Sequence, residues 1–203
     1  MGSRFFVIAI VFALGLGGEA VAQSAAPPVR VRGIVAAADA SSLTVTTREG
    51  STAKLAMTAD TSVSAVVPLG MDALKPGAFI GTTAVPGPDG KLKAIEVHVF
   101  PEAMRGTGEG HRDWDLQPGS SMTNANVDAV VTATNGRQLQ LSYKGGNTMV
   151  EVPEQTPIVT LAPAERSELK PGVAVFAIVT KGADGTLTAN RLTIGRNGIK
   201  PPM

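Results

Sequence analysis

The sequence predicts a mainly β protein made of two similar five-stranded barrels in tandem, and two observations carry that prediction. The first is a repeat: "LKPG" at 74–77 recurs at 169–172, and "DG" at 89–90 recurs at 184–185 with the same spacing. The second is a pattern of short runs that alternate apolar and polar residues and end at Gly, Asn or Asp turns. Two marks that recur at one offset indicate a duplicated domain.

Within each unit the elements follow in the order of a small closed barrel. Alternating runs such as "LTVTT", "IEVHV" and "LQLSY" predict strands with one buried and one wet face. A short helix is predicted before each "LKPG", most clearly in "PAERSEL" at Pro163–Leu169, where Pro163 suits a first turn and Pro171 prevents continuation. Three strands, a short helix and two strands are typical of an OB-like barrel.

This pattern gives the predicted division of the chain. We expect an OB-like barrel over residues 29–100 and a second over 125–195. An ordered segment, 101–124, joins the two barrels, and a tail follows at 196–203.

The N-terminus has the features of a secretory signal peptide. Arg4 precedes the apolar run Phe5–Gly18, and "AVA" ends at Ala22, after which we expect cleavage. The run is shorter than the roughly 20 apolar residues that a spanning helix needs, so we expect no stable membrane anchor. The chain has no cysteine, so it forms no disulfide. We therefore expect an exported, periplasmic protein.

Composition argues against nucleic-acid binding. The formal net charge is +1, which provides no basic surface for phosphates. Once the signal peptide is removed, few aromatic side chains are left to stack on bases; they are Phe79, Phe100, Phe176, Trp114 and Tyr143.

The joining segment holds most of the chemically versatile side chains, and a metal site is one interpretation. His111 lies within four residues of Glu109, Asp113 and Asp115, a mixture of imidazole and carboxylate that suits a divalent metal ion. With Met104 and Met122, His111 would instead suit monovalent copper.

His98 is the candidate second imidazole for such a site. It ends the last strand of the first unit and shares a face with Glu96, because the strand's apolar residues take the opposite face. We therefore expect His98 to point outward, as a surface histidine or toward His111. A hydrolase with acidic groups or His111 beside Ser120 is a further alternative, although no pattern fixes a nucleophile against a base.

The simplest interpretation treats the segment as a strap between the barrels. Trp114 and Leu116 would dock between them, and Asp113 and Asp115 would pair with Arg105 or Arg112. The candidate interdomain or ligand-binding residues are then Arg105, Glu109, Arg112 and Trp114. Arg30 and Arg32 are expected on the wet side of the first strand.

The double unit, its "LKPG" and "DG" turns, and "FPEAMRGTGEGHRDWDLQPGSSMTNA" resemble a family of exported proteobacterial proteins of unknown function with tandem OB-like barrels. Relatives often carry the label "metal ABC transporter permease", which does not agree with a chain that lacks a predicted transmembrane helix. The resemblance implies architecture and export, and it transfers no catalytic or ligand-binding residue.

Together these observations favour an exported, non-catalytic binding or scaffold protein. Its partner would be an envelope protein or a small ligand, and an OB-like fold alone does not identify which. The alternative is a metal-handling protein that uses His111 and its carboxylates, and an envelope hydrolase comes third.

Overall fold

The computed structural model describes residues 28–133 and 135–201. The predicted signal peptide at 1–22 lies outside them. The protein is mainly β, as predicted. The strands are β1 Val29–Ala38, β2 Ser42–Thr47, β3 Thr52–Pro68, β4 Phe79–Pro86, β5 Leu92–Val99, β6 Gly110–Asp113, β7 Ser121–Ala133, β8 Gly136–Tyr143, β9 Gly146–Pro153, β10 Ile158–Pro163, β11 Ala174–Lys181 and β12 Leu187–Gly195.

Five strands close into a barrel that we call the first ring. Their order is β1, β2, β3, β12 and β11, and β11 returns to β1. Neighbours are antiparallel except β3 and β12, which run parallel. The ring surrounds a buried apolar core, which includes Val35, Leu43, Val45, Leu55, Leu169, Val175, Val179, Leu192 and Ile194.

Five further strands pair in the same circular order, and we call them the second ring. β7, β8, β9, β5 and β4 follow one another, and β4 returns to β7. The parallel contact between β5 and β9 is short, joining Leu92 to Val150 and Lys93 to Glu151. β10 pairs with β3 and with β5, so it connects the two rings. The second core includes Ile80, Val97, Val127, Leu139, Leu141, Val150 and Val152.

The expected division into barrels at 29–100 and 125–195 is not confirmed. The first ring takes β1–β3 from one predicted unit and β11–β12 from the other, whereas the second ring is continuous from β4 to β9. The sequence pattern predicts strands and hairpins. It does not predict which other strands a hairpin pairs with, and therefore which ring it completes.

The two "LKPG" turns make equivalent contacts in this exchanged arrangement. The Gly172 N–H donates to the Val35 carbonyl over 2.9 Å, and the Gly77 N–H donates to the Val127 carbonyl over 2.8 Å. Each turn therefore lies on the first strand of the opposite predicted unit.

The short helices are only single 3-10 turns. They lie at Met71–Ala73, Glu102–Met104 and Arg166–Glu168. Pro163 was expected to open a helix, but it ends β10, opposite Ser64 of β3. The strand pairing overrides the local helical preference of "PAERSEL". No helix in the described part of the chain is long and apolar enough to cross a membrane.

Candidate functional site: the cleft between the rings

The candidate site is a cleft between the outer faces of the two rings, roofed by the joining segment. Its cavity has a volume of about 190 Å³. β5, β6 and β7 contribute one wall, and β10, β11 and β12 contribute the other. The lining residues are His98, Phe100, Thr107, Gly108, Arg112, Trp114, Met122, Asn124, Leu161, Phe176, Ile178, Arg191 and Thr193.

The β-sheet register builds the polar wall of the cleft. Gly81 of β4 lies between His98 of β5 and Asn124 of β7. A Cβ atom at position 81 would collide with the His98 imidazole and lie 2.8 Å from Oδ1 of Asn124. Gly81 therefore provides the space in which these two side chains lie side by side.

Glu96, a buried acidic residue of the same strand, lies beside His98. Oε1 of Glu96 accepts a hydrogen bond from the Thr83 hydroxyl over 2.5 Å, and Oε2 lies 3.7 Å from Nδ1 of His98. Glu96 is 1% exposed and His98 is 3% exposed. The carboxylate and imidazole thus face each other away from solvent.

The burial of His98 corrects the expectation that it lies on a wet face. The alternation along β5 places Val97 in the core and His98 on the outer face of the ring, as predicted. That outer face is covered by the first ring and the joining segment, so outward-pointing side chains are not exposed.

Several buried polar atoms at the cleft have no hydrogen-bond partner among the described residues. They are Nδ1 of His98, Oδ1 of Asn124 and Nε1 of Trp114, all atoms of lining residues. The opposite side of Asn124 is satisfied, because its Nδ2 donates to the Thr107 carbonyl over 2.9 Å. Leaving such a group unpaired costs about 1–3 kcal/mol, and a cluster of them therefore requires an explanation.

Two arginines give the cleft its charge. Arg112 donates to the Gly108 carbonyl over 2.8 Å and lies 5.5 Å from the centre of the Trp114 ring. Burial, together with the nearby charge of Arg30, lowers the pKa of Arg112 from its ordinary value. Arg191 enters from β12 on the other wall. The described lining contains no carboxylate, so the cleft is positively charged.

Trp114 joins the cleft to the contact between the rings. It packs against a small apolar cluster made by Val66, Val159 and Phe176. The guanidinium carbon of Arg30 lies 3.9 Å from the centre of its ring, a cation–π contact. Trp114 therefore lies where the strap interpretation places it, and it also forms a wall of the cavity.

The acidic and basic residues of the joining segment pair differently from expectation. Asp115 accepts from Arg32 over 2.8 Å and lies 3.6 Å from Arg30, rather than pairing with Arg105 or Arg112. Burial opposes ionisation of Asp115, but the bond to Arg32 and the two positive charges outweigh it and lower its pKa. The Arg32 side chain is only 9% exposed, so its expected place on a wet face is wrong.

Arg105 fixes the other end of the segment to the second ring. Its guanidinium bonds both carboxylate oxygens of Glu102, Oδ1 of Asn126 and the Gly77 carbonyl, over 2.6–2.8 Å. Arg105 is thus an anchor and does not line the cleft.

The proposed metal ligands have separate partners. Glu109 accepts from the Lys144 N–H over 2.9 Å, and Nδ1 of His111 lies 2.8 Å from the Thr123 hydroxyl. The alternation of β6 places His111 and Asp113 on the face opposite Arg112, while His98 lines the cleft with Arg112. Within residues 28–133 and 135–201, no three His, Cys, Asp or Glu side chains are grouped to hold a metal ion.

Sequence reasoning named His98, Arg112 and Trp114 but missed Asn124, Arg191 and the apolar wall. The internal repeat contained a signal that could have identified Arg191. At its offset, Arg191 is the equivalent of Glu96, and Thr193 is the equivalent of His98. Equivalent strands β5 and β12 thus bring their outer faces to one cleft.

No family model, curated protein or solved structure matches this chain. Its resemblance to the exported proteobacterial family therefore stays a prediction.

Proposed function

We propose that the protein is an exported, non-catalytic binding protein whose ligand occupies the cleft between the rings. In this proposal the chain consists of two OB-like units that arose by duplication and exchange their last two strands. The matching contacts of the two "LKPG" turns support this history. The exchange supplies the cleft with one wall from each ring.

The observation that carries the proposal is the set of unpaired polar atoms at a cavity with mostly apolar walls. A pocket that holds a few convergent polar groups on an apolar lining is the usual form of a small-molecule site. Its volume of about 190 Å³ suits a small metabolite better than an extended polymer. In this proposal the binding takes place in the periplasm, on the strength of the predicted signal peptide at 1–22.

We expect ligands to raise the unfolding temperature of the mature protein, because binding only the folded state stabilises it. The test is a thermal-shift screen of small metabolites against the wild type and an Ile178→Phe variant, in which the larger side chain fills the cleft. Val131→Phe is the control, since Val131 is 55% exposed and does not line the cavity.

Compounds that stabilise the wild type and the control, but not Ile178→Phe, would support the proposal. A screen in which every stabilising compound acts equally on Ile178→Phe would contradict it.

A further inference from the structure

We infer that the cleft recognises a small carboxylate with an apolar body, read by Arg112 and Arg191 and placed against Trp114. This inference rests on the proposed function and specifies its ligand class. The argument uses the charge of the cleft, the hydrogen-bonding groups that face it and the composition of its walls.

The charge favours an anion. Arg112 and Arg191 both reach the cavity, and the described lining supplies no carboxylate to neutralise them. Among the described residues, the Arg112 side chain hydrogen-bonds only to a neutral carbonyl, that of Gly108. Arg191 makes no side-chain hydrogen bond or ion pair with any described residue. Partly buried guanidinium groups without an anion are poorly stabilised, and a carboxylate matches their planar fork of donors.

One neutral polar group, the indole of Trp114, is suited to the same ligand. The indole Nε1–H of Trp114 has no partner in the described part of the chain, and as a donor it can bond only an acceptor. The carboxylate of Glu96 lies beside His98 but is not part of the lining, and its Oε1 is engaged by Thr83.

The walls favour an apolar body and a single charge. Most of the remaining lining is aromatic or aliphatic, made by Phe100, Trp114, Met122, Leu161, Phe176 and Ile178. Such walls would bury the apolar part of a ligand favourably. They would not replace the hydration of a compact dianion such as phosphate.

The test uses fluorescence of Trp114, the only tryptophan in the chain, supported by calorimetric titration. The probes are benzoate and hexanoate, their neutral amides benzamide and hexanamide, and inorganic phosphate. We expect each carboxylate to bind at least about ten-fold more tightly than its amide, since hydrogen bonds between charged groups are the stronger ones. Arg191→Gln and Arg112→Gln should each remove about ten-fold or more of the carboxylate affinity.

Arg137→Gln is the matched control, because Arg137 does not line the cleft, and it should bind as the wild type does. Unfolding midpoints of all variants establish that each is folded at the titration temperature. Amides that bind as tightly as carboxylates would overturn the inference while leaving the cleft as a binding site. Phosphate binding more tightly than either carboxylate would also overturn it. If none of the five probes binds, the inference is wrong, and the proposed function is decided separately by the thermal-shift screen.

Discussion

Replacing Phe176 by alanine is expected to lower the free energy of unfolding by about 3–5 kcal/mol. Phe176 lies on the outer face of the first ring, yet it is 3% exposed because it packs against Val66 and Val159 between the rings. The Arg32 guanidinium carbon also lies 4.9 Å from the centre of its ring. Truncation would lose this burial and leave a void that widens the cleft. Urea unfolding measures the change.

Val131→Ala is the control for this experiment. Val131 is 55% exposed on β7, so its truncation should change stability by no more than about 0.5 kcal/mol. A Phe176→Ala variant that loses less than about 1 kcal/mol would mean that this outer face is not buried under β10 and the joining segment.

Replacing His98 by leucine is expected to destabilise the protein by about 3 kcal/mol, because it leaves Glu96 buried with only the Thr83 hydroxyl for support. Adding Glu96→Met should recover most of the loss, since two apolar side chains tolerate this site better than one buried polar group that has lost its partner. The remaining deficit should be about 1 kcal/mol, from the lost hydrogen bond to Thr83. A double-mutant cycle measured by urea unfolding gives the coupling.

His111→Leu provides a matched control, because His111 is the only other histidine and is exposed on β6. We expect it to cost at most about 1 kcal/mol, chiefly from the lost hydrogen bond to the Thr123 hydroxyl. Losses that simply add in the Glu96→Met/His98→Leu double variant would show that the carboxylate and imidazole are not coupled.

Local signals in the sequence predicted the strands well, and the pairing between distant strands was the part they did not determine. The alternation in "IEVHV" placed Glu96 and His98 together on the outer face of β5. The glycines of "LKPG" adopt positive φ angles of 83° at Gly77 and 89° at Gly172, as tight turns require. Because the two units resemble each other, the same local pattern fits an exchanged and an unexchanged arrangement.

The candidate site was only partly predictable for the same reason. A cleft between outer faces depends on which rings pack together, and period-two alternation says only that a side chain leaves the core of its own ring. His98 and Arg32 were therefore expected to face solvent, although other elements pack against the outer faces of the rings and bury them. Clustering along the sequence suggested a metal site around His111 as one alternative, but successive residues of β6 point to opposite faces and have different partners.

The exchange of strands between the rings is the central claim, because the cleft depends on it, and cross-linking tests it directly. The chain has no cysteine, so a disulfide between two introduced cysteines can be detected without interference from native ones. Ile34 of β1 is paired with Ala174 of β11, and neighbouring antiparallel strands bring Cα atoms within disulfide range. At the offset of the repeat, Phe79 is the residue that would face Ile34 in an unexchanged barrel.

The account predicts that an Ile34→Cys/Ala174→Cys variant forms an intrachain disulfide on mild oxidation, identified by peptide mapping, while Ile34→Cys/Phe79→Cys stays reduced. A disulfide between positions 34 and 79, with the 34 and 174 pair remaining reduced, would contradict the exchange and the cleft that it creates.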